Sequence, residues 1–95
     1  MGLWAIATSA VATPYEDELA KILRGLPHDA REFIARRSDC NHWLGEEPYD
    51  AARKAEILKA VTELRCRSIT RDETRIRHRY HRNNRVLKAL RASDF

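Results

Sequence analysis

Residues 40 to 50 read CNHWLGEEPYD and hold most of the side chains in this chain that could do chemistry. His42 beside Glu46, Glu47 or Asp50 has the makings of a general base and its orienting partner. Cys40 and His42 stand in a C-x-H arrangement, Cys66 follows, and His78 and His81 stand in H-x-x-H. Thiolates and imidazoles in that number could close a tetrahedral zinc site. Neither reading completes itself. No serine or cysteine nucleophile is placed for the base to activate, there is no glycine-rich phosphate loop, and the spacing follows no zinc-finger pattern. The histidine pair also lies in an arginine-dense stretch whose field opposes a cation. No catalytic residue, metal or cofactor is therefore assigned, and the protein is read as a non-enzyme.

The structural reading accounts for more of the same residues. Trp43 offers a large ring to bury, Gly45 a permissive backbone with positive φ, and Pro48 a fixed helix start. Tyr49 is expected to close over Trp43. Glu46 or Glu47 is expected to pair with Arg36, Arg37 or Arg53, and Asp50 suits the first turn of the next helix. His42, Trp43, Gly45, Glu46, Glu47, Tyr49 and Asp50 thus read as a packed corner.

Cys40 and Cys66 bracket that corner. The reading adopted is a disulfide, which suits a small chain in an oxidising compartment. Zinc ligation and two free buried thiols are its rivals. The pairing carries a geometric tension: a helix after the turn, travelling some 30 Å at 1.5 Å per residue, would separate the two sulfurs unless it folds back along a neighbour.

The elements that must position these residues are helical. The 95-residue chain is rich in Ala, Leu, Arg, Glu and Lys, with three glycines, three prolines and no alternating apolar run that would argue a sheet. Thr13 and Glu16 form a capping box for a first helix with Leu19, Ile22, Leu23 and Leu26 on its apolar face, ending at Gly25. Pro27 opens a second, with Ala30, Phe33, Ile34 and Arg37 on one face, ending near Ser38 or running on to Trp43. A third, over 48–67, carries Ala51, Ala55, Leu58, Val61 and Leu64 at helical spacing, widened by Ile57, and is expected to be the backbone of the core. Thr70 and Glu73 suggest a further capping box. The helix after it carries Ile69, Ile76, Tyr80, Leu87 and Leu90, and Asn83-Asn84 predicts a kink or cap before a short final helix, with Val86 off the stripe. The fold class is all-α, a small bundle of four to five helices with one disulfide, formed by a single domain over 13–95.

Two features bear on location and partners. MGLWAIATSAVA carries no charge and ends in an A-x-A pattern, so residues 1–12 read as a signal-peptide remnant, cleaved after Ala12, or as an apolar N-terminus. The run is far too short to span a bilayer. The charge is unevenly spread: nine Lys/Arg against eleven Asp/Glu up to Arg65, and nine against three beyond it. Arg71, Arg75, Arg77, Arg79, Arg82, Arg85, Lys88 and Arg91 surround a narrow apolar stripe. A solvated face is the simplest account of them. A surface for nucleic acid, with Tyr80 and His81 stacking on bases, for anionic lipid, or for an acidic partner protein is the sharper one.

The C-N-H-W-L-G-E-E-P-Y-D block, the A-x-R-x-x-E-I that follows, Cys66 and the Arg79-Tyr80-His81-Arg82-Asn83-Asn84 tail resemble a group of small bacterial exported helical proteins. These share a C-x-H-[WF]-x-G-E-E-x-Y-D block and a second downstream cysteine. The match covers roughly residues 40 to 90. It implies a periplasmic or secreted location and no particular activity. The expected function is a non-enzymatic exported envelope protein that binds or inhibits another protein. The alternative is a cytosolic nucleic-acid-binding helical module working through the basic C-terminal helix.

Overall fold

The computed structural model describes residues 13–94. The signal-peptide reading of 1–12 lies outside the described residues. Among the described residues five α-helices run in the order α1 (Pro14–Leu23), α2 (His28–Leu44), α3 (Ala51–Glu63), α4 (Ile69–Arg79) and α5 (Asn84–Ala92). A single 3₁₀ turn, Cys66–Ser68, leads into α4, and there is no strand among the described residues. The all-α bundle with one disulfide is the fold expected from the sequence.

Local chemistry explains most of the boundaries. The Thr13 hydroxyl accepts from the Glu16 backbone N–H at 3.1 Å while the Glu16 carboxylate takes the Thr13 N–H at 2.9 Å, a closed capping box. Gly25 ends the first helical segment with φ +78, in the left-handed region where a side chain is costly. The Asn83 side chain accepts from the Val86 N–H at 3.1 Å and starts α5 as a separate helix.

The core lies between α2, α4 and α5, with α1 laid along its edge. Leu26, Ala30, Phe33, Ile34, Ile76, Val86, Ala89 and Leu90 are buried, and Leu19, Ile22, Leu23, Ile69, Tyr80 and Leu87 pack against them. Val86, expected off the stripe, is fully buried. The Asn83 cap restarts the helix and resets its phase, so the apolar face of α5 is not the continuation of the one on α4.

Three expectations are corrected. The third helix spans Ala51–Glu63 rather than 48–67, because Asp50 and not Pro48 starts it: the Asp50 carboxylate accepts from the Arg53 N–H at 2.7 Å. It is not the backbone of the core, since no residue of α3 is buried. Its half-buried face is Arg53, Ile57, Ala60, Val61 and Leu64, whereas Ala51, Ala55 and Leu58 are exposed. The α2 face that builds the core is already covered by its other neighbours, so α3 packs at the margin, and the alanines of its predicted stripe offer little area to draw it inward. Finally, no capping box forms at Thr70. Helix α4 begins at Ile69, and Asp72 and Glu73 turn toward arginines of α2.

Those arginines are the polar heart of the bundle. Arg37, 2% exposed, donates from Nη1 to Glu73 at 2.8 Å and from Nη2 to the Leu90 carbonyl at 2.6 Å and Ser93 Oγ at 3.0 Å. Its guanidinium lies 5.7 Å from the Phe33 ring centroid. One side chain thus ties α2 to α4 and to the end of α5. Arg36 repeats the tie one residue earlier, reaching Asp72 at 2.5 Å. The Arg36 hydrogen bond holds the Asp72 carboxyl below its ordinary range. Burial pushes Glu73 upward, but the hydrogen bonds from Arg77 and Arg37 outweigh it and the net direction is down.

Candidate functional site

The sulfurs of Cys40 and Cys66 are bonded, with Cα atoms 5.6 Å apart. The geometric tension resolves because α2 continues through Cys40 to Leu44 and α3 is shorter than expected, 13 residues or about 20 Å. After Glu63 the chain turns sharply at Arg65, whose φ of 54 and ψ of 49 are left-handed. That turn delivers Cys66 back to the side of α2. Both sulfurs are spent on each other. Among the described residues no group of three or more His, Cys, Asp or Glu side chains is placed to hold a metal ion.

The other end of α3 is fastened by Arg53. Its guanidinium pairs with Glu46, reaches Glu56 at 3.6 Å and lies 5.2 Å from the Trp43 ring centroid. Burial works against the charge on Arg53, but Glu46 beside it holds the guanidinium firmly protonated. The corner is built on this clamp rather than on a buried aromatic. Trp43 is half-buried, and the group over it is Arg53, not Tyr49, which is 74% exposed. His42 is exposed, edge-on to Trp43 at 6.3 Å. Gly45 is not left-handed, with φ −88, and its N–H closes the last turn of α2. Glu47 is exposed, its carbonyl accepting from the Tyr49 N–H at 2.9 Å. Of the acidic groups proposed as partners of His42, Glu46 holds Arg53 and Asp50 caps α3, while the Glu47 carboxylate makes no ion pair among the described residues.

The result is a helix held at both ends and buried nowhere. Leu58, 56% exposed, stands on its outer side, and Leu44 and Tyr49 are exposed where the chain enters it. Beside Leu58 and Val61 a groove of about 610 Å³ runs to the 3₁₀ turn and the start of α4.

The basic surface predicted on the C-terminal third is paired in part and keeps an excess of positive charge. Arg71 and Arg75 approach Asp72 at 3.6 and 3.5 Å, Arg77 pairs with Glu73 at 2.9 Å, and Arg79 with Asp29 at 2.6 Å. Arg85 donates to the Arg24 carbonyl at 3.1 Å. Arg82, Lys88 and Arg91 make no ion pair among the described residues. Tyr80, considered for base stacking, packs against the core and donates its hydroxyl to Asp29 at 2.5 Å. That bond raises the Tyr80 phenol and is the main reason the Asp29 carboxyl is lowered. His78 and His81 stack on each other at 6.0 Å, and His81 Nδ1 lies 2.9 Å from the His78 carbonyl.

Sequence reasoning missed the Arg36–Asp72 and Arg37–Glu73 ties, which join residues 36 apart and leave no local signal. The one available clue was Arg37 sharing a helix face with Ala30, Phe33 and Ile34. Comparisons with protein-family models, curated proteins and solved structures return no match.

Proposed function

We propose that this is a non-enzymatic, exported bacterial envelope protein that binds another protein through the disulfide-held α3 arm. The observation that carries the reading is the contrast between anchorage and burial. Helix α3 is fixed by a covalent bond at one end and by the Arg53 clamp at the other, yet contributes no buried residue. A helix fixed in place while presenting Leu58, with Leu44 and Tyr49 beside its entry, suits recognition. Pre-organisation of that kind lowers the ordering cost of binding. Export is supported by the disulfide and by the charge-free start of the chain. No described helix is long and apolar enough to cross a membrane. The non-enzymatic reading is supported by His42, exposed, with two of its candidate carboxylates, Glu46 and Asp50, engaged elsewhere.

The test has two arms. Intact mass of the protein recovered from the cell envelope is expected to correspond to a chain starting at Thr13 and two hydrogens lighter than its reduced form. Oxidised protein is then used to capture partners from envelope extract beside a Leu58→Asp variant. A protein retained by the wild type, lost with the variant and reconstituted from purified components supports the reading. A reduced, full-length cytosolic protein with salt-dependent DNA or RNA affinity overturns it in favour of a nucleic-acid-binding module.

A further inference from the structure

Accepting the protein-binding reading above, we infer that the groove beside α3 takes an acidic amphipathic helix of the partner, apolar residues against Leu58 and Val61 and carboxylates on Arg65, Arg67 and Arg71. The groove lies between the C-terminal half of α3 and the turn entering α4, and its volume of about 610 Å³ is within the range of ligand-binding clefts. Its apolar part is Leu58 and Val61, its wall includes the Cys66 side of the disulfide, and its cations are the three arginines. No carboxylate lines it. Arg65 and Arg67 have no acidic partner among the described residues, and Arg71, 73% exposed, has only the 3.6 Å approach to Asp72. Elsewhere Arg75, Arg77 and Arg79 are matched by Asp72, Glu73 and Asp29, and Arg82, Lys88 and Arg91 make no ion pair among the described residues; what sets the groove apart is that its arginines flank Leu58 and Val61 with no carboxylate in the lining.

The backbone at Arg65 is also held. Arg65 is the one non-glycine residue with positive φ among the described residues, a conformation uncommon for a long side chain. Its carbonyl accepts both from the Ser68 N–H at 3.1 Å and from the Ser68 hydroxyl at 3.0 Å. The disulfide fixes the next residue, Cys66. A backbone outlier locked from two sides, whose own side chain and that of Arg67 have no counter-charge among the described residues, is the kind of feature that marks a site.

Guanidinium forks suit carboxylates and phosphates alike. The apolar part of the groove decides between them. Single-stranded nucleic acid is gripped by aromatic faces on which bases stack, and no aromatic side chain lines this groove. Aliphatic side chains rimmed by arginines match a helix laid into a groove by anchors on one face, with acidic residues on its flanks.

The test uses the oxidised protein and three fluorescein-labelled probes: a synthetic helical peptide with leucines along one face and glutamates on its flanks, a scrambled peptide of the same composition, and oligothymidylate. Binding is read by anisotropy. The ordered peptide is expected to bind. Arg67→Glu with Arg71→Glu, and separately Leu58→Asp, are each expected to weaken it about tenfold or more, on the order of one to two charge-assisted contacts. Lys88→Glu, on α5 and outside the groove, is expected to change it less than about twofold, because a remote exposed charge is screened. Circular dichroism melts confirm that each variant is folded. The proposal is overturned if the scrambled peptide or oligothymidylate binds as tightly as the ordered peptide. Equal sensitivity to Lys88→Glu, or no binding of the ordered peptide, overturns it as well. A Leu58-dependent envelope partner that ignores the arginine variants removes this proposal and leaves protein binding standing. Peptide binding without any envelope partner supports the groove's specificity and removes the envelope setting of the protein-binding reading.

Discussion

Cutting the tie between Cys40 and Cys66 separates two kinds of support for α3. Cys66→Ala is the cleaner variant, because Cys40 is 1% exposed and keeps its sulfur in place. The bond closes a loop over a sequence separation of 26 residues. With that loop length the chain-entropy relation gives about 3.5 kcal/mol at 25 °C. This is an upper figure for the loss, because an arm freed from its tether recovers some entropy in the folded state. A domain of this size shifts its melting temperature by roughly 4–8 °C per kcal/mol, so the full loss corresponds to a fall of roughly 14–28 °C. The structure also predicts where the loss is felt. With no buried residue, α3 has little else to hold it, and an isolated helix of its length is marginal in water. Amide exchange by NMR should therefore show residues 51–63 losing protection in the variant, while the buried segments of α2, α4 and α5 keep theirs. Refutation is equally concrete. A melting temperature within about 3 °C of wild type, on the scale of less than 1 kcal/mol, together with intact α3 protection, would mean that the Arg53 clamp and the half-buried face suffice. The arm would then not depend on the covalent bond.

The two α2 arginines should differ in urea melts read at constant m. Arg37→Ala leaves a buried donor network broken and is expected to cost about 3–5 kcal/mol; Arg36→Ala, which removes a single part-buried tie to Asp72, about 1–2 kcal/mol. Similar losses for both would refute the central role of Arg37. Asp29, Asp72 and Glu73 all have carboxyls lowered in the folded state, the first chiefly by the Tyr80 hydroxyl, the second by Arg36, and the third by Arg77 and Arg37 against burial. The unfolded chain then binds protons more readily, so their contribution is complete above the unfolded carboxylate range, about pH 4–4.5. It is lost as pH falls through the lower folded values. Melting temperature should decline from that range downward, and a flat acid limb would count against the ties. Gly25→Ala forces a side chain into φ +78 and places its Cβ 2.6 Å from Arg85 Nη2. A loss of about 1–2 kcal/mol is expected, part of it recovered when Arg85→Ala is combined with it; no recovery would place the whole cost in the backbone.

Local signals carried the helices a long way. Thr13-Pro14-Tyr15-Glu16 contains its own capping box, Asn83 its own cap, and Gly25 its own stop, and each forms from residues within one turn of the chain. The face of Ala30, Phe33, Ile34 and Arg37 was legible because helical periodicity places those residues together whatever surrounds them. In the candidate site the two cysteines were legible as a pair, but the way Trp43 and Tyr49 are used was not, since Arg53 competes for the same ring from the next helix.

What the sequence determined by itself, then, is the set of helices and the candidate core face on each, because these depend on contacts a few residues apart. Which faces meet was decided only in three dimensions. An apolar stripe on α3 is a claim to burial, but the core face of α2 is covered by residues of α4 and α5, and the disulfide set the arm's position from its far end. The carboxylates of α4 were equally undecided. Asp72 and Glu73 read as the start of a helix and became the counter-charges of Arg36 and Arg37, because a buried guanidinium must find an acceptor wherever the fold brings one near.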